Sequence, residues 1–191
     1  SNRYVINSIN GMVSVMSHLQ QFMENSEPVD INTLIASIGD TLKNVQSMEI
    51  VTHSIAESFA AVDIAGYNYA DNRYVTDKKI FPNRVICGAE TFPKDIANNW
   101  MLVKENGHLI GDFTWTGWDY LGEVGVGRIG YGQMSKGEVM HGPYPWISAY
   151  CSDIDMIGNR RPISYYREIV FGLRKQPYIS VQRPEHYGKK P

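Results

Sequence analysis

Arg84-Val-Ile-Cys-Gly-Ala-Glu-Thr91 decides the fold. Its stretch from Val85 to Ala89 is short and almost wholly apolar, as a strand buried on both faces would be. Glu90 stands at the exit of that strand. Thr91 and Pro93 then open a helix that runs to about Glu105, with Ile96, Trp100 and Val103 inward and Gly107 as its stop. The same order recurs on either side. Upstream, Val62-Asp-Ile-Ala-Gly-Tyr67 reads as another strand buried on both faces. Downstream, His108-Leu-Ile-Gly-Asp-Phe-Thr-Trp115 reads as the next one. Strands alternating with helices argue for an α/β fold built on a parallel sheet.

The flanks extend the pattern. Arg3 to Ile9 alternates and reads as a strand, and Met12 to Phe22 follows a helical period. Ile31, Leu34, Ile35, Ile38, Leu42 and Val45 form the clearest amphipathic stripe, with Asp30 placed to cap it. A shorter helix is expected from about Ile50 to Phe59. Asn68 to Pro82 is polar and reads as a long loop. Gly117 to Gly142 is glycine-rich and without period, so it is expected to be mostly loop, of a length that is usually functional or mobile. A last helix is expected over about Ile163 to Leu173. Tyr178 to Val181, between Pro177 and Pro184, looks like the first strand of something else.

Composition narrows the function without naming it. The chain has 191 residues, 43% of them apolar and 20% charged, with a formal net charge of −2. That is an ordinary composition for a soluble globular domain and gives no reason to expect nucleic acid as a partner. No run of about 18 apolar residues exists, so no helical membrane span is expected. Ser1-Asn2 resembles a cloning remnant, so the start of the chain does not bear on targeting. Cys87 and Cys151 stand far apart and read as free thiols. The five histidines show no ligand spacing, so no metal site is expected. Gly125-Val-Gly-Arg-Ile-Gly130 has the spacing of a dinucleotide fingerprint but neither directly follows a buried strand nor opens a helix, and reads as a flexible loop.

In α/β barrels and open α/β sheets the chemistry lies just beyond the C-terminal ends of the strands. Here those ends carry Gly66-Tyr-Asn-Tyr69, then Gly88-Ala-Glu-Thr91, then Phe113-Thr-Trp-Thr-Gly-Trp-Asp119. A carboxylate, a phenol from Tyr69 and an indole from Trp115 would thus reach one rim. An oxocarbenium-like transition state calls for such a carboxylate beside the anomeric carbon. A tryptophan face can stack on the apolar side of a sugar ring. A carboxylate at a helix start also suits the helix dipole, so Glu90 has a purely structural reading too.

Asp63-Ile-Ala-Gly-Tyr-Asn-Tyr69, Gly88-Ala-Glu-Thr91 and Ile110-Gly-Asp-Phe-Thr-Trp-Thr-Gly-Trp-Asp-Tyr-Leu-Gly-Glu123 resemble the last barrel strands of family 2 glycoside hydrolases of the β-galactosidase type. Tyr144 to Arg167, with Asp153-Ile-Asp155 and Arg161-Pro162, is similar to the segment that closes that barrel. The resemblance implies a partial (β/α)8 barrel, about its last four βα units (strands 5–8), over residues 1–176. Residues 177–191 would lead into a following β-sandwich. It implies a retaining β-glycosidase acting on terminal β-galactosides, with Glu90 as the nucleophile. Tyr69 would hydrogen-bond that nucleophile, and Trp115 would form a platform for the sugar. Asp119 matches an acidic position of the motif, although an Asp there could simply stabilise a turn. Asn68 would reach the site as well, whereas Trp118 is expected to pack.

The retaining mechanism needs two carboxyl groups about 5–5.5 Å apart. The family's acid/base glutamate follows an asparagine on an earlier strand, and this sequence contains no Asn-Glu step. The expectation is therefore that the acid/base lies outside the chain and that the chain alone is inactive. No cofactor or metal is implied, since Phe92 and Pro93 stand where some family members carry a metal-linked histidine. The expected partners are a β-linked saccharide and the remainder of a parent polypeptide, with no nucleic acid and no membrane. A half barrel would expose sheet edges, which favours a homodimer or aggregation. By resemblance the compartment is periplasmic or extracellular. Two other readings stand beside this one: a different family 2 activity, such as β-glucuronidase or β-mannosidase, and a non-catalytic carbohydrate-binding α/β domain.

Overall fold

The structure is a computed structural model that describes Gly39 and residues 43–128 and 142–188. The strand and helix expected before residue 39, and most of the stripe from Ile31 to Val45, lie outside the described residues; residues 43–46 are helical. The described elements, in chain order, begin with α1 (Glu49–Ala60), β1 (Ile64–Asn68) and α2 (Tyr74–Ile80). They continue with β2 (Val85–Thr91), α3 (Ile96–Glu105), β3 (Leu109–Thr114) and α4 (Pro162–Val170). The three strands form one parallel sheet in the order β1-β2-β3. The chain divides into two units: Ser1–Thr91 with Met101–Phe113, and Phe92–Trp100 with Thr114–Pro191.

The first unit is organised by the sheet. β1 and β2 run in register from Ile64 opposite Val85 to Tyr67 opposite Gly88. The register then jumps so that Asn68 faces Glu90 and Ala89 is left out. The core consists of Ala65, Tyr67, Ala70, Tyr74, Ile86 and Leu109, with Phe59, Leu102 and Val103 packed against it. β1 is not buried on both faces, as its apolar run suggested. Exposure alternates along it, and Ile64 (49%) opens to solvent, as do Ile110 (54%) and Phe113 (66%) of β3.

Asn68 to Pro82 is not a loop either. A 3-10 turn, Asp71–Arg73, runs into α2. The polarity that suggests a loop is instead a buried ion network. Asp77 accepts from Arg73 Nη2 at 2.8 Å and Nε at 3.1 Å, and from Tyr67 Oη at 2.5 Å. Arg84 Nη1 donates to Tyr67 Oη at 2.9 Å, and its guanidinium lies over Phe81 at 3.7 Å. Arg73 also bonds Thr52 Oγ1 of α1 and the Gln46 carbonyl. Asp77 is shared between the two guanidiniums, and neutral acceptors take further Arg73 donors, which is what lets these groups be buried. Burial, and then the Asp77 hydrogen bond, push the Tyr67 phenol up to about 12.

In the second unit, residues 115–128 and 142–161 form no regular element beyond isolated bridges such as Trp118–Ile154 and Leu121–Ser148. Two arginine–carboxylate forks hold these turns. Arg161 grips Asp119 at 2.7 and 2.5 Å, and Arg167 grips Asp153 at 2.5 and 3.0 Å. Gly127 has φ +76°, and a Cβ there would lie 2.8 Å from Cys151 Cβ, so this turn requires glycine. α4 starts one residue earlier than expected, at Pro162, where proline suits a first turn. Tyr178 to Val181 has no strand partner among the described residues, and the segment ends in a 3-10 turn, Pro184–His186.

Candidate active site

Glu90 occupies the penultimate position of β2, half-buried, at the C-terminal end of the parallel sheet. β1 ends beside it. Asn68 Nδ2 lies 3.5 Å from Glu90 Oε2, and the Tyr69 amide donates to the Glu90 carbonyl at 2.7 Å. Tyr69 has φ +53°, a left-handed conformation that a bulky residue adopts only at a cost of about 1–3 kcal/mol. That turn follows the register jump in the ladder. Three of the expected residues, Asn68, Tyr69 and Glu90, therefore gather on one edge of the first unit. The chemistry they offer is a carboxylate with an amide donor at its edge, held by backbone from two strands.

Beneath Glu90 lies a polar cluster that the sequence reading passes over. Thr91, 1% exposed, places its hydroxyl 2.9 Å from Asp112 Oδ2 and 3.2 Å from the Phe113 carbonyl. Tyr74, fully buried, donates to Asp112 Oδ1 at 3.1 Å. Gly88 leaves the room this cluster needs, because a Cβ there would stand 2.2 Å from Tyr74 Oη and 2.5 Å from Asp112 Oδ1. Burial first, and then the Asp112 charge, push the Tyr74 phenol well above its ordinary range. The signal available in the sequence was Asp112 itself, a carboxylate inside an otherwise apolar strand.

The remaining expected residues belong to the second unit. Trp115 follows β3 directly and lies 6.0 Å, centroid to centroid, from the Tyr120 ring. Trp118 is 55% exposed, so it does not pack as expected. Asp119 is 5% exposed, and both its carboxylate oxygens are engaged. Arg161 takes both, and Ser152 Oγ donates to Oδ1 at 2.5 Å. It acts as the anchor of its loop, the turn-stabilising alternative. Among the described residues, no group of three or more His, Cys, Asp or Glu side chains could hold a metal. Among them, too, no helix is long and apolar enough to cross a membrane.

Neither a protein-family model nor a curated protein matches the chain. Solved structures do. A glycosyl hydrolase family 2 member from Bacteroides cellulosilyticus is 32% identical over 71% of this chain, with a TM-score of 0.52. A second family 2 member from the same organism is 26% identical over 72% of the chain, with a TM-score of 0.45. The chain spans 18% and 16% of the length of these two. It is thus similar to a segment of much larger glycosyl hydrolases.

Proposed function

We propose that this chain is part of the catalytic domain of a retaining β-glycosidase of family 2, in which Glu90 is the nucleophile. The observation that carries the reading is the placement of Glu90 at the C-terminal end of a parallel strand, where α/β folds do their chemistry, with Asn68 at its carboxylate. The 32% identity to a family 2 structure supports it. A parallel sheet of three strands fits a part of a (β/α)8 barrel.

In this reading Glu90 Oε attacks the anomeric carbon and the glycosidic C–O bond breaks. The leaving oxygen takes a proton from the acid/base carboxyl, which this chain does not supply. Water, deprotonated by the same acid/base, then displaces Glu90 and releases the sugar. Asn68 helps orient the carboxylate, and Tyr69 hydrogen-bonds it. The preferred substrate is a terminal β-galactoside. The sequence lacks the Asn-x-Lys-Gly signature of β-glucuronidases, which argues for a neutral sugar.

The test is turnover of aryl β-D-galactoside, β-D-glucuronide and β-D-mannoside by the full-length polypeptide, wild type beside Glu90→Gln. A loss of about 10³-fold or more in the folded variant is expected. Labelling by a 2-deoxy-2-fluoro-β-D-galactoside with a good leaving group should add one fluorosugar to the peptide carrying Glu90. Near-wild-type turnover by Glu90→Gln would overturn the assignment.

A further inference from the structure

The jump in register at the end of β1 sets a problem. The regular ladder stops at Tyr67 opposite Gly88, and Ala89 is skipped before Asn68 meets Glu90. Pairing with β1 alone therefore leaves the exit of β2 under-determined at the residue whose side chain must be aimed most closely. Bonds from both neighbouring strands restrain it. From β1, the Tyr69 amide holds the Glu90 carbonyl at 2.7 Å. From β3, Asp112 holds the hydroxyl of Thr91, the next residue, at 2.9 Å, with the Phe113 carbonyl of the same strand 3.2 Å from it.

Successive side chains in a strand point to opposite faces. That alternation slips between Gly88 and Thr91, which meet the same cluster, so it is the pinning of Thr91 that fixes the backbone carrying Glu90 on its C-terminal side. The pin is braced at both ends, at a buried threonine and a half-buried aspartate. Thr91 is 1% exposed, and Asp112 is braced by the fully buried Tyr74 at 3.1 Å. Both of these bonds are part-buried, which makes them costly to break. Gly88 adjoins the same cluster and admits no side chain there. A glycine, a threonine, a tyrosine and an aspartate from three elements thus form one clamp beside the Glu90–Thr91 peptide.

We propose that Asp112 is a positioning residue for Glu90, acting through the hydroxyl of Thr91, so that β3 sets the aim of a carboxylate carried by β2. This inference rests on Glu90 being the nucleophile. It assigns Asp112 no contact with substrate. A misplacement of about 1 Å in a reacting group can cost about 10²-fold in rate. The loss should fall on the chemical step and spare binding of the sugar.

The experiment compares Thr91→Val, Thr91→Ser and Asp112→Ala with wild type in the full-length polypeptide. Thr91→Val keeps the branched shape and removes the hydroxyl, whereas Thr91→Ser keeps the hydroxyl and removes a methyl. The readouts are kcat and KM on an aryl β-glycoside that wild type turns over, and the rate at which the 2-deoxy-2-fluoro-glycoside labels Glu90. Thr91→Val and Asp112→Ala should lose about 10–10²-fold in kcat and in labelling rate, with KM changed by no more than about threefold. Thr91→Ser should stay within about threefold of wild type in every readout. Should Asp112→Ala fail to fold, Asp112→Asn takes its place and should show a loss of the same pattern, in kcat and labelling rate and not in KM. Equal losses in Thr91→Val and Thr91→Ser, wild-type kcat in Thr91→Val, or a loss confined to KM would each overturn the inference. If wild type turns over substrate but is labelled elsewhere, the nucleophile assignment fails and the positioning role falls with it. If Glu90 is labelled and Thr91→Val labels at the wild-type rate, only the positioning role fails.

Discussion

Replacing Gly88 by alanine puts one methyl group into a space already filled. The new Cβ would stand 2.2 Å from Tyr74 Oη and 2.5 Å from Asp112 Oδ1, where ordinary contact begins at 3.4 Å. Both groups must therefore retreat by about 1 Å, and a close-packed interior resists displacements of that size. Tyr74 cannot swing into solvent, because it is fully buried in the core of the first unit. Overpacking of this kind costs about 1–3 kcal/mol. Separating the phenol from the carboxylate adds about 1.5–3 kcal/mol, the range for hydrogen bonds to charged groups. A total of about 2.5–6 kcal/mol is a large share of the about 5–15 kcal/mol that holds a typical domain together. Urea unfolding of the chain, followed by tryptophan fluorescence, measures it. A second variant checks the mechanism. Tyr74→Phe removes the nearer obstructing atom, so Gly88→Ala combined with Tyr74→Phe should be less destabilised than the two single changes added together, by about 1 kcal/mol or more. A cost below about 1 kcal/mol for Gly88→Ala, or strict additivity of the pair, would refute the steric argument.

Asp77→Ala should destabilise the first unit by about 3–5 kcal/mol in the same assay, because it strands the buried guanidinium groups of Arg73 and Arg84 without their carboxylate. Arg161→Ala should cost a similar amount by leaving Asp119 without its fork, and should open residues 117–128 to limited proteolysis well before the wild-type chain is cut. Burial pushes the Cys151 thiol up to about 11, so its alkylation by iodoacetamide at pH 8 should be slower than that of free cysteine by about 10²-fold and should rise steeply toward pH 11. Ile64, Ile110 and Phe113 stand exposed on the sheet, so the 191-residue chain alone should self-associate as its concentration rises in light scattering.

Much of this fold is legible in the sequence. The runs Val62–Tyr67, Arg84–Ala89 and His108–Trp115 mark the strands of the parallel sheet to within a few residues, because a short apolar segment bounded by polar ones has few other uses. The helix at Ile50–Phe59 and the helices on either side of β3 are legible to within a few residues at their ends, although Thr91, read as a helix opener, closes β2 and the helix after it starts only at Ile96. Glu90 stands out for the same local reason, a carboxylate at the end of an apolar strand. What the sequence misreads is polarity whose purpose is tertiary. Asn68 to Pro82 looks like a loop because its charges cannot be seen to meet, yet Asp77, Arg73 and Arg84 compensate one another inside the unit. Asp119 looks like a candidate ligand until Arg161, 42 positions away, claims both its oxygens. Asp112 goes unremarked until Tyr74 and Thr91 close on it from two other elements. Periodicity reports what a side chain avoids, namely water, and it is written along the chain. The partner of a buried charge is fixed only when distant segments meet, so the sequence alone determined the strands and the carboxylate, and the tertiary structure decided which polar groups hold them in place.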